Sequence, residues 1–292
     1  MIPRRVRAVT TVVVAIVAVS ALAGCRSTTA ADSGKPSVVA AFYPLQYAAQ
    51  QVGGDTVSVT SLTPAGVEPH DLELTAAQVA DISQADLVLY VKGFQPAVDE
   101  AVAQQAPDRA LDVSAALPLM GNDPHVWLDP SNMSAIGTAI ANRLAEVEPD
   151  AAMTVAKNAT DFGSTMDALG AAYRTGLATC RLHDMVVSHE AFAYLAHAFG
   201  LNQIGISGLS PDAEPSPARL KEVADLVTSK GITTIYYETL VDPKIAQTIA
   251  DETGAKVAKL DPLEGLTTGS TGNYVSIMKD NLATLRNGQG CT

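Results

Sequence analysis

The chain reads as an α/β protein of two lobes, each a parallel sheet flanked by helices, joined by one long backbone helix. Two observations carry this reading. From residue 37 onward, short β-branched or apolar runs alternate with helix-patterned stretches, the order that builds parallel sheets covered by helices on both faces. The alternation breaks once. Residues 149–179 hold no strand signal, many alanines and few helix breakers, which predicts a single helix between a lobe at 37–148 and a second at 180–292.

The elements follow in order. Strands are expected at 38–42, 56–62 and 87–91 in the first lobe. In the second they are expected at 185–188, 203–207, 233–237 and 256–260. Most are short and bounded by Gly, Pro or Asp. Helices are expected at 45–52, 75–83, 131–147, 216–229 and 243–252, among others. Asp129-Pro130 stands just before the third of these, an N-cap residue followed by proline in the first helical position. No short-period repeat is visible, and the two lobes share no clear sequence echo.

The first 24 residues run from basic (Arg4, Arg5, Arg7) through an apolar stretch to small residues, the order of a secretory signal peptide. The apolar run is shorter than the roughly 20 residues that span a bilayer comfortably. Its ending, Leu22-Ala23-Gly24-Cys25, resembles the lipobox of bacterial lipoproteins, which implies cleavage before Cys25 and lipidation of that cysteine. A plain secretory signal with a chance cysteine is the alternative. Residues 25–36, rich in Ser, Thr, Ala and Gly, read as a flexible tether. The localisation expected is extracytoplasmic, on the outer face of the cell membrane, with membrane contact through the lipid anchor only.

The formal net charge is −12, and removing the signal removes basic residues. That balance argues against nucleic acid as a partner. It suits a cationic ligand, and it equally suits simple solubility. With Cys25 lipidated, Cys180 and Cys291 remain as an even pair outside the cytoplasm. A disulfide between them is the economical expectation; two separate thiols are the alternative. No CxxC lies nearby to suggest thiolate zinc ligation.

The chain has only five histidines. His70 follows a strand and a turn, His125 lies in Asp123–Pro130 (DPHVWLDP), and His189 comes directly after the strand at 185–188. Asp261 likewise follows a strand. Ligands of open α/β sheets bind at the carboxyl ends of strands, so these four side chains, two from each half, can converge on one cleft. Three imidazoles and a carboxylate make a closed zinc shell. The long spacings carry no local signature, and each histidine alone is also compatible with a packing or surface role. Glu238 ends the strand at 233–237, where a carboxylate can fix the tautomer of a ligand imidazole or simply face solvent. His183 and His197 are not expected to be ligands. Enzyme motifs fail: His189-Glu190 begins an HExxH, but Ala193 stands where the second histidine belongs. Neither a Walker A sequence nor a GxSxG elbow is present.

Four segments, GVEPHDLELT at 66–75, DPHVWLDP at 123–130, VSHEAFAYL at 187–195 and GAKVAKLDPLEG at 254–265, resemble the signature stretches of the zinc and manganese solute-binding lipoproteins of ABC importers, the ZnuA/TroA-like family (metal-binding cluster A-I). The resemblance runs from about residue 38 to the end of the chain. It implies the TroA-like fold, a metal in the interlobe cleft, no enzymatic activity, and delivery of the metal by a monomer to an ABC importer membrane permease. Carried over by position, His70 and His125 are ligands from the first lobe, and His189 and Asp261 from the second. In some relatives the fourth position is a water or a glutamate near the first histidine, the place Glu68 holds here. Manganese-type relatives tend to carry glutamate at the third position; His189 there favours Zn2+ over Mn2+ as the transported ligand. The long His-rich loop of many zinc-type relatives is absent, since Met120-Gly121-Asn122 leads almost straight into Asp123. A manganese receptor of the same family, a secreted zinc-dependent hydrolase and a surface adhesin are the rival functions.

Overall fold

The apolar alternation places strands where β-branched side chains can bury both faces. The computed structural model describes residues 34–292, with Lys35–Thr292 forming one compact unit. The expected signal peptide, Cys25 and most of the tether lie outside the described residues. In the first lobe β1 (Ser37–Ala40), β2 (Ser58–Ser61), β3 (Leu87–Tyr90) and β4 (Ala110–Asp112) form a parallel sheet in the order β2-β1-β3-β4. Val38 lies opposite Val59 on one side and Leu87 on the other. The second lobe repeats the plan: β5 (Asp184–Val187), β6 (Asn202–Gly205), β7 (Thr234–Tyr237) and β8 (Lys256–Lys259) form a parallel sheet in the order β6-β5-β7-β8. In each, the first strand is central, with chain leaving it in both directions. That is the topological switch point at which open α/β sheets bind ligands.

The helices are α1 (Tyr43–Gly53), α2 (Ala76–Gln84), α3 (Pro96–Gln105), α4 (Pro130–Val147), α5 (Ala152–Leu177), α6 (Ala193–Phe199), α7 (Pro217–Lys230), α8 (Lys244–Thr253) and α9 (Tyr274–Gly288). Local chemistry explains their starts. Thr75 and Gln78 close a capping box on α2, Asp129 caps α4 ahead of Pro130, and Asn273 with Ser276 caps α9. Gly200, Gly231 and Gly254 end α6, α7 and α8 in the left-handed region.

The linking helix is α5. Its 26 residues make it about 39 Å long at the usual rise per residue. It packs closely along α4. A Cβ at Gly137 would come within 2.5 Å of the Phe162 ring, so only glycine lets the two helices approach there. One apolar core, including Val39, Phe42, Leu89, Trp127, Ile136, Phe162, Tyr173, Leu195, Leu263 and Met278, runs without interruption from the first sheet through α5 into the inner side of the second lobe. A smaller core of Val186, Ile206, Val223, Ile235 and Ile249 covers the outer face of the second sheet under α7 and α8. Prising the lobes far apart would expose the shared core to water, at roughly 25 cal/mol per Å2 of apolar surface.

Cys180 and Cys291 are disulfide-bonded, joining the end of the linking helix to the C-terminus of the chain. No described helix is long and apolar enough to cross a membrane.

Candidate metal centre

Each histidine is delivered by the segment after a strand. His70 sits in the long connection from β2 to α2, where its backbone N–H donates to Glu68 Oε2 at 2.9 Å and its ring meets Phe94 edge-on, with centroids 4.6 Å apart. His125 is turned inward by Asp123: Asp123 Oδ1 accepts from the His125 backbone N–H at 2.9 Å and pairs with Nδ1 at 2.7 Å. His189 follows β5 and is held in the same way by Glu238, which lies just past β7. Glu238 Oε1 is 3.2 Å from the His189 backbone nitrogen and 2.7 Å from Nδ1. Each of these two imidazoles therefore donates Nδ1–H to a carboxylate and keeps Nε2 for something else. A neutral ring of that tautomer presents a lone pair on Nε2.

Those lone pairs share one target. Glu264 Oε1, on the loop after β8, is 3.4 Å from His70 Nε2, 3.2 Å from His125 Nε2 and 3.1 Å from His189 Nε2. The His125 and His189 Nε2 atoms are 3.3 Å apart. The donor atoms of His70, His125, His189 and Glu264 all lie within 4.8 Å of one another. Four donors at about 2.0–2.1 Å from a tetrahedral zinc would be about 3.3–3.4 Å apart, close to the four separations above. His125 and His189 are fully buried and Glu264 is 2% exposed, so the pocket excludes bulk water.

Charge in so dry a place is strongly coupled. Burial by itself would lower the proton affinity of His189, but the Glu264 charge and the hydrogen bonds to Glu238 and Glu264 outweigh it and push its pKa up to about 10. Burial likewise opposes protonation of His125; hydrogen bonds to Asp123 and Glu264 win, and its pKa is raised. Burial would raise Glu264, but the His189 charge and hydrogen bonds from the imidazoles hold it well below the usual carboxylate range.

Asp261 does not join this group; Glu264, three residues on, takes the position expected for it. The reason is local. Asp261 Oδ1 accepts the Leu263 N–H at 2.8 Å. That turn carries Leu263 at φ 59° and aims Glu264 inward. The same bond recurs at every Asp-Pro in the described residues. Asp123, Asp129 and Asp242 each accept, through Oδ1, the N–H two residues on, at 2.9, 2.8 and 3.0 Å. Proline after Asp disfavours the helical conformation at the aspartate and favours the short side-chain turn. That rule is legible in the sequence and leaves Glu264 as the free acid of Asp261-Pro262-Leu263-Glu264. Asp123 was missed in the same way, as the acid that orients His125.

Glu68 also lies outside the group. It holds the His70 backbone, and its Oε1 is buried without a hydrogen-bond partner; burial pushes its pKa up to about 7. His183 and His197 are exposed, and His183 pairs with the Gly200 carbonyl at 3.0 Å.

The family described as "Zinc-uptake complex component A periplasmic" matches residues 38–288. The zinc-binding lipoprotein AdcA of Streptococcus pneumoniae is 36% identical over 290 residues, which cover 91% of this chain and 58% of that protein. This chain thus spans little more than half the length of that relative. The high-affinity zinc uptake system protein ZnuA of Bacillus subtilis is 32% identical, covering 86% of this chain and 87% of its own. The crystal structure of the Zn(II)-bound ZnuA-like domain of S. pneumoniae AdcA superposes with a TM-score of 0.78 at 37% identity, over 88% of this chain and 99% of that one. With two lobes on a TroA-like plan and three histidines and a glutamate between them, this chain belongs to the zinc-uptake component A family of solute-binding proteins.

Proposed function

We propose that this protein captures Zn2+ outside the cytoplasm, in the cleft between its lobes, and hands it to the membrane permease of an ABC importer. The observation that carries the reading is the convergence of four donor atoms, three imidazole nitrogens and one carboxylate oxygen, from segments 55 to 75 residues apart. His70, His125, His189 and Glu264 are the proposed ligands, with Asp123 and Glu238 holding two of the rings. Three nitrogen donors and one oxygen suit zinc better than manganese, which prefers more and harder oxygen ligands. A shell closed by four protein groups leaves no position for a reactive water, which supports binding rather than hydrolysis. Relatives named for zinc binding and zinc uptake point the same way.

The rest of the reading follows the sequence. Cys25 carries the lipid, residues 25–36 form the leash, 37–148 and 180–292 are the two lobes, and 149–179 link them. The protein acts as a monomer. The stiff α5 and the shared core favour release through modest movement of ligand loops over wide opening of the lobes. The test is titration of the purified, metal-free protein with Zn2+ and Mn2+ in competition, together with elemental analysis. Tight zinc binding at one site per chain, displaced poorly by Mn2+, supports the assignment; preference for Mn2+ overturns it.

A further inference from the structure

Two of the proposed ligands belong to different lobes yet are bound to each other's segments by hydrogen bonds that need no metal. Trp127 lies two residues after His125, and Pro262 two residues before Glu264. The Trp127 indole Nε1–H donates to the Pro262 carbonyl at 2.8 Å. The Trp127 carbonyl in turn accepts the Tyr274 hydroxyl, from the start of α9, at 2.6 Å. Trp127 is fully buried, and its ring packs against Phe42, Phe94 and His125 with centroids 4.7, 5.0 and 5.2 Å away. One rigid indole therefore packs against a ligand imidazole and holds the other lobe's ligand loop with its side-chain N–H.

The loop it holds is short and conformationally demanding. Leu263, at positive φ, sits between the held carbonyl and Glu264; such a conformation at a branched residue persists only when its surroundings impose it. On the far side Asn281 of α9 pairs with both backbone groups of Asp261, at 2.9 and 2.7 Å. Asn281 thus fixes the start of the turn from the second lobe, and Trp127 fixes its middle from the first. Beyond Glu264, the Gly66 N–H donates to the Leu266 carbonyl at 2.7 Å, a further tie to the loop that bears His70.

We propose that Trp127 is a positioning residue for metal capture: its indole N–H braces the Pro262 carbonyl and so sets Glu264 beside His125 before the cation arrives. The proposal rests on Glu264 being a ligand, as argued above. A carboxylate already in place need not be ordered by the metal, so affinity is gained through preorganisation. Loss of one such supporting hydrogen bond at a metal site typically weakens affinity by roughly tenfold.

The test uses Trp127→Phe, which removes the donor and keeps an aromatic ring, in the wild-type and Glu264→Gln backgrounds. A second variant replaces Trp127 with benzothienylalanine, an isostere lacking the N–H, and decides the matter if Phe disturbs folding. The expected result is about tenfold weaker Zn2+ binding in the wild-type background and less than twofold change in the Glu264→Gln background, because the brace acts through that carboxylate. In the metal-free protein the amides of 263–265 should exchange hydrogen faster in the variant. Equal losses in both backgrounds, no loss in either, or unchanged exchange at 263–265 overturn the brace. Such a result leaves zinc capture standing, whereas failure of the unaltered protein to bind Zn2+ removes the function itself.

Discussion

Proton release offers the sharpest test of the centre. In the metal-free protein the Glu264 charge and the hydrogen bonds to Glu238 and Glu264, against the opposing pull of burial, hold the His189 pKa at about 10. At pH 8 such a group is about 99% protonated. Zinc takes the neutral imidazole, so binding at pH 8 must expel about one proton from His189, and a further share from His125, whose pKa is also raised. Zinc affinity should therefore rise about tenfold per pH unit between pH 7 and 9, well above the range where an ordinary histidine competes. Calorimetric titration at pH 8 in buffers of different ionisation enthalpy reads the number of protons from the slope. A slope of one or more is expected. A slope near zero would mean that the His125 and His189 rings are already neutral, and the electrostatic account of the pocket would be wrong. The sign for folding is opposite in the two states. A histidine pKa raised from 6.5 to about 10 stabilises the metal-free fold fully below pH 6.5, and that contribution is lost as pH rises through 10. Chemical denaturation should show the metal-free protein losing this contribution across that window while the zinc-saturated protein gains stability by mass action.

Three further outcomes are expected. His125→Ala should weaken Zn2+ binding on the order of 100-fold or more while circular dichroism stays that of the native fold; an unchanged dissociation constant would remove His125 from the shell. Asp261→Asn keeps an acceptor for the Leu263 N–H and should change zinc affinity by less than about threefold, whereas Glu264→Gln should weaken it by about tenfold or more; the reverse ranking would restore Asp261 as the ligand. Replacing Cys180 and Cys291 with serine opens a loop closed across 111 residues of sequence and should lower unfolding stability by about 3–5 kcal/mol, measured by denaturant titration, with zinc affinity unaltered.

Much of this architecture is written in short-range patterns. The β-branched runs predict seven of the described strands within a few residues, because burial between two helical layers demands such residues locally. The alanine-rich stretch predicts α5 for the same kind of reason. β4, at three half-buried residues, is too short to announce itself, and α3 and α9 were not singled out. His70 and His189 stand out because each follows an expected strand, and parallel strands direct their following loops to one edge of the sheet; His125 stands out by the DPHVWLDP stretch that holds it.

The fourth position is different in kind. Asp261 and Glu264 are both acids on the same loop, and the place just after a strand, together with the family resemblance, favours the one beside the proline. What separates them is where each carboxylate finds its hydrogen bonds: Asp261 turns back on its own backbone, and Glu264 finds only imidazoles. Chain chemistry by itself determined the two-lobed α/β plan, the linking helix and the three rings that can bind a metal. Only the tertiary structure decided which carboxylate meets them, that Glu238 grips His189 from 49 residues away, and that an indole from one lobe holds a carbonyl of the other. The reason is physical: helix and strand formation depend on neighbours a few residues apart, but a coordination shell is a point in space, and which atoms reach it depends on packing between segments remote in sequence.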